Sequence, residues 1–107
     1  MPRVYTDVTA QDFSQAFAEA KNRYVLVDVR TEEEYLEGHI PGAVHIPFDE
    51  MGQRYKELEH QQGENILLIC RSGRRSVVAA HTLAEKGFPH LFNLKGGMLK
   101  WDGPVER

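Results

Sequence analysis

The sequence holds a single cysteine in 107 residues. One thiol closes no internal disulfide, so nothing in the chain calls for an oxidising compartment. Long hydrophobic runs are also missing. The opening MPRVYTDVTAQDF carries no apolar signal-peptide core, and no run is long enough to span a membrane. The expectation is a cytoplasmic protein without a membrane partner. Positive charge is not in excess either: 13 Lys and Arg stand against 16 Asp and Glu, a formal net charge of -3. That balance argues against general nucleic-acid binding through a basic face. There is no internal repeat, low-complexity tract or Pro/Gly/Ser linker, and the length suits one compact core and not two. One domain over residues 1–107 is therefore expected. His45, His60, His81 and His90 share no metal-like spacing with each other or with Cys70, so no zinc site and no cofactor is expected.

What is present reads as an ordinary globular composition, with 41% hydrophobic and 27% charged residues. TAQDFSQAFAEA opens with Thr9 and Asp12 close to a capping box, and Phe13, Ala16, Phe17 and Ala20 recur at helical spacing. YVLVDV (24–29) and NILLIC (65–70) are continuous apolar, β-branched runs of the kind found in strands covered on both faces. TEEEYLEG predicts a short helix capped by Thr31, with three glutamates in its first turn and Gly38 as its stop. A turn at Pro41-Gly42 leads to a brief strand over 43–46, and DEMGQRYKELEH is expected as a weakly periodic helix. SVVAAHTLAEKG predicts an amphipathic helix ended by Gly87, HLFNL a last strand, and KGGMLKW a Gly-Gly turn entering one helical turn. Strands alternating with helices imply a parallel sheet with helices on both faces. Ligands of such sheets bind beyond the carboxyl ends of the strands.

Cys70 sits at that kind of edge, and three of the next five residues are arginines: Arg71, Arg74 and Arg75. A lone cysteine ending a buried strand is by default a small inert core residue. Here the following loop is short and leads straight into a helix, so backbone N–H groups can converge near the sulfur and the helix end adds positive potential. Gly73 lets the loop curl through conformations closed to other residues. These features favour thiolate over thiol, and a thiolate in an electropositive setting is a nucleophile. The same cradle would hold the anionic Cys–S–S⁻ of a covalently carried sulfur. The arginine forks suit tetrahedral oxyanions such as thiosulfate, sulfate or phosphate.

Sulfur and phosphorus chemistry both use such a loop. A cysteine phosphatase places an arginine six residues after its cysteine. Position 76 is instead Ser76, and Arg75 falls one place early. The tighter loop suits a sulfur bonded to Cys70 better than a phosphate held above it.

At this point the sequence resembles a single-domain rhodanese, a thiosulfate sulfurtransferase. Three ordered blocks carry the resemblance: DVRTEEEYLEGHIPGAVHIP (28–47), the active-site-like CRSGRRS, and the closing LKGGMLKW. The resemblance implies a Rossmann-like domain around a five-stranded parallel sheet with helices on both faces. It also implies a double displacement in which Cys70 takes the outer sulfur of thiosulfate, releases sulfite and passes the sulfur to a thiophile such as cyanide or a thiol. Cys70 is then the nucleophile. The amides of Arg71, Ser72, Gly73, Arg74, Arg75 and Ser76 form the sulfur cradle, and the side chains of Arg71, Arg74 and Arg75 are assigned to the donor's oxyanions. No metal or cofactor is implied. A persulfide carrier serving a protein thiol stays open as an alternative, as does a phosphatase or arsenate reductase on the same scaffold.

Asp28 and Arg30 match the family's Asp-x-Arg and are expected to support the loops at the strand ends, with Arg30 paired to a carboxylate. His39 reads as a hydrogen-bonding turn residue and Trp101 as a packing residue pinning the carboxyl-terminal segment. The run Glu32-Glu33-Glu34 suits a helix start and needs no partner. Phe48, Met51 and Tyr55 fit either the mouth of a site or a cover for the sheet.

Overall fold

Parallel strands with wholly apolar sequences must be covered on both faces, and the chain supplies that cover from alternating sides. In a computed structural model, which describes residues 3–107, five strands form one sheet in the order β1-β5-β4-β2-β3, every pairing parallel. They are β1 (Tyr5–Thr9), β2 (Val25–Asp28), β3 (Val44–His45), β4 (Ile66–Ile69) and β5 (Leu91–Lys95). The first two positions of the expected domain 1–107 lie outside the described residues.

The central strand β4 is buried at all four positions. Successive side chains alternate between two cores. On one face Val27, Ile66, Leu68, Cys70 and Leu91 pack with Met51, Leu58, Ala79, Ala80 and Leu83. These come from α4 (Met51–Arg54), the turn after it, and α5 (Arg75–Glu85). On the other face Leu26, Leu67, Ile69 and Leu94 pack with Ala10, Phe13, Phe17 and Ala20 of α1 (Ala10–Gln15) and α2 (Phe17–Ala20). Trp101 closes this second core. Its ring lies 5.8 Å from that of Phe13 and 5.7 Å from that of Phe17, and its indole N–H donates to the Pro104 carbonyl.

Three expectations are corrected. The residues pointed to four strands, and β1 is a fifth: YTDVT is a half-exposed edge strand with too little apolar sequence to announce itself. The helix expected over 9–20 breaks at Ala16 (φ -107°, ψ 15°) into α1 and α2. The helix expected in DEMGQRYKELEH is one α-turn between two 3-10 segments, Phe48–Glu50 and Tyr55–Gln61. Its weak periodicity offered no continuous stripe to bury. By contrast α3 (Glu32–Glu37) carries the full capping box at its start, Thr31 with Glu34, and Gly38 ends it.

Candidate active site

β4 delivers Cys70 to the carboxyl edge of the sheet, on the face covered by α5, where its side chain has no solvent exposure. The chain then turns through Arg71, Ser72, Gly73 and Arg74 before α5 begins at Arg75. Gly73 adopts φ +93°, which a residue with a side chain rarely takes. That turn aims its N–H at the sulfur, with N···Sγ 2.9 Å. On the other side the hydroxyl of Ser76, buried in the first turn of α5, lies 3.3 Å from Sγ. The Ser76 hydroxyl donates to Oδ1 of Asn93 in β5, and Asn93 Nδ2 donates to Asp7 Oδ1 in β1 at 2.9 Å. Of the six amides expected to ring the sulfur, Gly73 N–H is the one hydrogen-bonded to it among the described residues.

The three arginines part company. Arg71 and Arg74 are exposed. Arg71 lines a cleft of about 260 Å³ with Glu34, Glu37, Met98 and Leu99. Arg75 turns away and forks onto Glu34, with N···O distances of 2.9 and 3.0 Å. The Arg75 guanidinium, through those hydrogen bonds, holds the Glu34 carboxyl down at about 2 against an ordinary 4.5. Arg75 in turn is raised above its ordinary value, first by its hydrogen bonds to Glu34 and by the charge of that carboxylate, with a smaller contribution from the buried Asp28. It stands as a fixed positive charge near the sulfur.

Asp28 and Arg30 pair with each other: the carboxylate, fully buried, takes Arg30 Nη2 at 2.8 Å, and the same nitrogen donates to the Gly38 carbonyl at 2.7 Å. The pair ties the end of β2 to the end of α3. A second brace comes from the Gly-Gly turn. Met98 N–H donates to the Cys70 carbonyl and Leu99 N–H to the Arg71 carbonyl, both at 2.9 Å. Gly97 sits between them at φ +57°, where a Cβ would fall 2.5 Å from both carbonyl oxygens. Only glycine lets the two loops meet.

Further out, His39 donates its Nδ1–H to the Tyr35 carbonyl, as a turn residue does, and the Tyr35 ring stacks on His39 at 3.8 Å and His45 at 4.5 Å. Met51 is wholly in the core, while Phe48 and Tyr55 pack half-buried against it. A larger cavity of about 480 Å³ beside Phe48, His45 and Arg54 is lined by no residue of the cysteine loop. Among the described residues no three His, Cys, Asp or Glu side chains converge as metal ligands would. Among the described residues no helix is long and apolar enough to cross a membrane.

Four residues of this region, Glu34, Tyr35, Asn93 and Asp7, had no place in the site on the sequence alone. Glu34 was covered by the expectation that its acidic run needs no partner, which the Arg75 fork corrects. The Gly-Gly turn was expected but not that its Gly97 braces the cysteine loop, and Tyr35 and Asp7 gave no signal of their own. Asn93 did give one: a polar amide inside the apolar run HLFNL must find buried hydrogen-bond partners.

The Rhodanese-like domain family model matches residues 9–103. The chain is 46% identical over 81 residues to the Bacillus subtilis "Putative sulfur carrier protein YrkF", a match spanning 76% of this chain and 43% of that protein. It is 40% identical over 88 residues to "Putative sulfurtransferase YtwF" of the same organism, covering 82% of each. Among solved structures, a rhodanese-related protein from Thermoplasma volcanium superposes with a TM-score of 0.80 at 28% identity, over 95% of this chain and 98% of that one. The family match, the five-stranded parallel sheet and the cysteine loop at its edge agree: the chain belongs to the rhodanese-like domain family of sulfurtransferases and sulfur carriers.

Proposed function

We propose that this protein moves the sulfane sulfur of thiosulfate, or of a related persulfide donor, through a Cys70 persulfide to a thiophilic acceptor. One observation carries the reading: Sγ of the lone cysteine lies at the head of α5 with the Gly73 N–H aimed at it from 2.9 Å. The Cys70 thiolate attacks the outer sulfur of thiosulfate. A new S–S bond forms, the old one breaks, and sulfite leaves with its electron pair. The persulfide anion is then attacked at its outer sulfur by cyanide or a thiol, and the Cys70 thiolate departs. Charge stays on sulfur throughout, where an amide donor and the helix end stabilise it. Arg71 and Arg74, the exposed guanidiniums of the loop, meet the oxyanions of the donor. Arg75, already forked onto Glu34, contributes fixed charge. Asp28 and Arg30 hold the neighbouring strand end in place. Ser72 shapes the loop, and Ser76 faces the sulfur.

Intact mass after incubation with thiosulfate tests the reading. A gain of one sulfur atom, absent in Cys70→Ala, is expected, with thiocyanate released on adding cyanide. No adduct and no thiocyanate would sink it. The resemblance to a sulfur carrier supports a second reading, in which the acceptor is a protein thiol. Rapid loading with very slow multiple turnover on cyanide would favour that carrier. A phosphatase reading lacks its guanidinium, because the arginine nearest the required position is committed to Glu34.

A further inference from the structure

The polar chain behind the sulfur has a direction, and the direction can be deduced. A carboxylate only accepts hydrogen bonds, so Asn93 presents Nδ2 to Asp7 and therefore Oδ1 to Ser76. An amide oxygen also only accepts, so the Ser76 hydrogen points at Asn93. What Ser76 offers to Sγ, 3.3 Å away, is a lone pair. That arrangement suits S–H as a donor and opposes the anion, while Gly73 N–H on the other side suits the anion.

We infer that Asp7 and Asn93 are positioning residues which, through the Ser76 hydroxyl, restrain Cys70 from ionising. The inference rests on Cys70 as the sulfur-bearing nucleophile. On loss of the thiol proton, the Ser76 hydrogen is drawn towards two acceptors, Sγ and Asn93 Oδ1. Turning it to the sulfur breaks the bond to Asn93. The pair therefore sets how readily the nucleophile is released.

The fold builds this device deliberately. Asp7, Asn93 and Leu68 stand side by side in register across three strands. The side chains of this row face α5, so Asn93 replaces a core apolar residue directly beneath Ser76. Asn93 is 4% exposed and Ser76 fully buried, and all their side-chain polar atoms are satisfied. The charged groups nearby are Arg75 on α5 with its partner Glu34 on α3, the Asp28–Arg30 pair at the end of β2, and Arg71, the next residue in the chain. The hydrogen-bond chain from sulfur runs to Asp7, whose second oxygen takes Arg3 at 3.0 Å.

Asp7→Asn is the informative variant, because it keeps shape at a partly exposed site. An amide there can donate to Asn93 Oδ1, allowing Asn93 to flip. Ser76 then accepts from Asn93 Nδ2 and its hydrogen is free for the sulfur. The assay is the rate of Cys70 alkylation by iodoacetamide between pH 5 and 9, read by intact mass. Asp7→Asn should lower the midpoint of the pH profile by about one unit, about tenfold in rate below it, as a gained charge-assisted hydrogen bond implies. Asn93→Leu, which removes the acceptor, should shift the same way. In a Ser76→Ala background, Asp7→Asn should leave the midpoint where Ser76→Ala alone puts it. An unmoved midpoint in Asp7→Asn overturns the inference. So does an equal shift in both backgrounds, which would assign the effect to the lost charge alone. Alkylation needs no sulfur donor, so failure of wild type to load sulfur would strike the proposed function separately.

Discussion

Replacing Glu34 by Gln removes one charge while sparing the helix cap, since glutamine also serves at that position of a capping box. In the folded protein the carboxyl lies near 2 instead of its ordinary 4.5, with the hydrogen bonds from Arg75 as the leading cause. Taken whole, that depression corresponds to about 3 kcal/mol favouring the folded, ionised pair. Glu34 and Arg75 keep 25% and 27% of their side-chain surface in water, which screens the attraction. The expected loss at pH 7 is therefore about 1–2 kcal/mol, or a urea midpoint lower by about 1 M. Because folding lowers this carboxyl, its contribution is whole above about pH 4.5 and drains away as pH falls towards about 2. Urea titrations of both proteins at pH 7 and pH 3 test this, and the gap should shrink to about half or less at pH 3. Identical midpoints at pH 7, or a gap of constant size at both pH values, would refute the argument.

Two further substitutions probe the braces around the loop. Asp28→Asn leaves Arg30 buried beside a neutral amide and should cost about 3 kcal/mol or more, as breaking buried pairs does. A thermal melt reads this as a fall of more than about 10 °C, and an unchanged melting temperature would contradict it. Gly97→Ala forces a Cβ against the Cys70 and Arg71 carbonyls. It should destabilise by about 2–4 kcal/mol and make Cys70 react faster with iodoacetamide as the second loop lifts off. A variant as stable and as slow to alkylate as wild type would show that the turn is not a brace.

Legibility from sequence followed burial. VLVD and ILLI read as strands because both of their faces are covered, and α3 read cleanly because Thr31, Glu34 and Gly38 mark both ends within a few residues. β1 did not, since an edge strand needs little apolar sequence, and the segment around α4 lacked the repeating stripe that identifies a helix. In the site, local order announced the loop: strand, cysteine, glycine turn, helix. Its long-range partners did not. Glu34 meets Arg75 across 41 residues and Asp7 meets Asn93 across 86, and no spacing rule connects such positions. The commitment of Arg75 to Glu34 was invisible for the same reason, because a guanidinium's partner depends on which loops the sheet brings together.

The pairing of β1 with β5 has a consequence for biosynthesis. Closing a loop of that span costs about 4 kcal/mol of chain entropy, and the partner strand β5 leaves the ribosome only after β4 and α5. A nascent chain that has emitted β4 and α5 already displays Cys70, yet has neither Asn93 nor Gly97 to govern it. During that interval the thiol is an ungoverned group open to oxidants, and the arrival of β5 and the Gly-Gly turn decides when its chemistry comes under control.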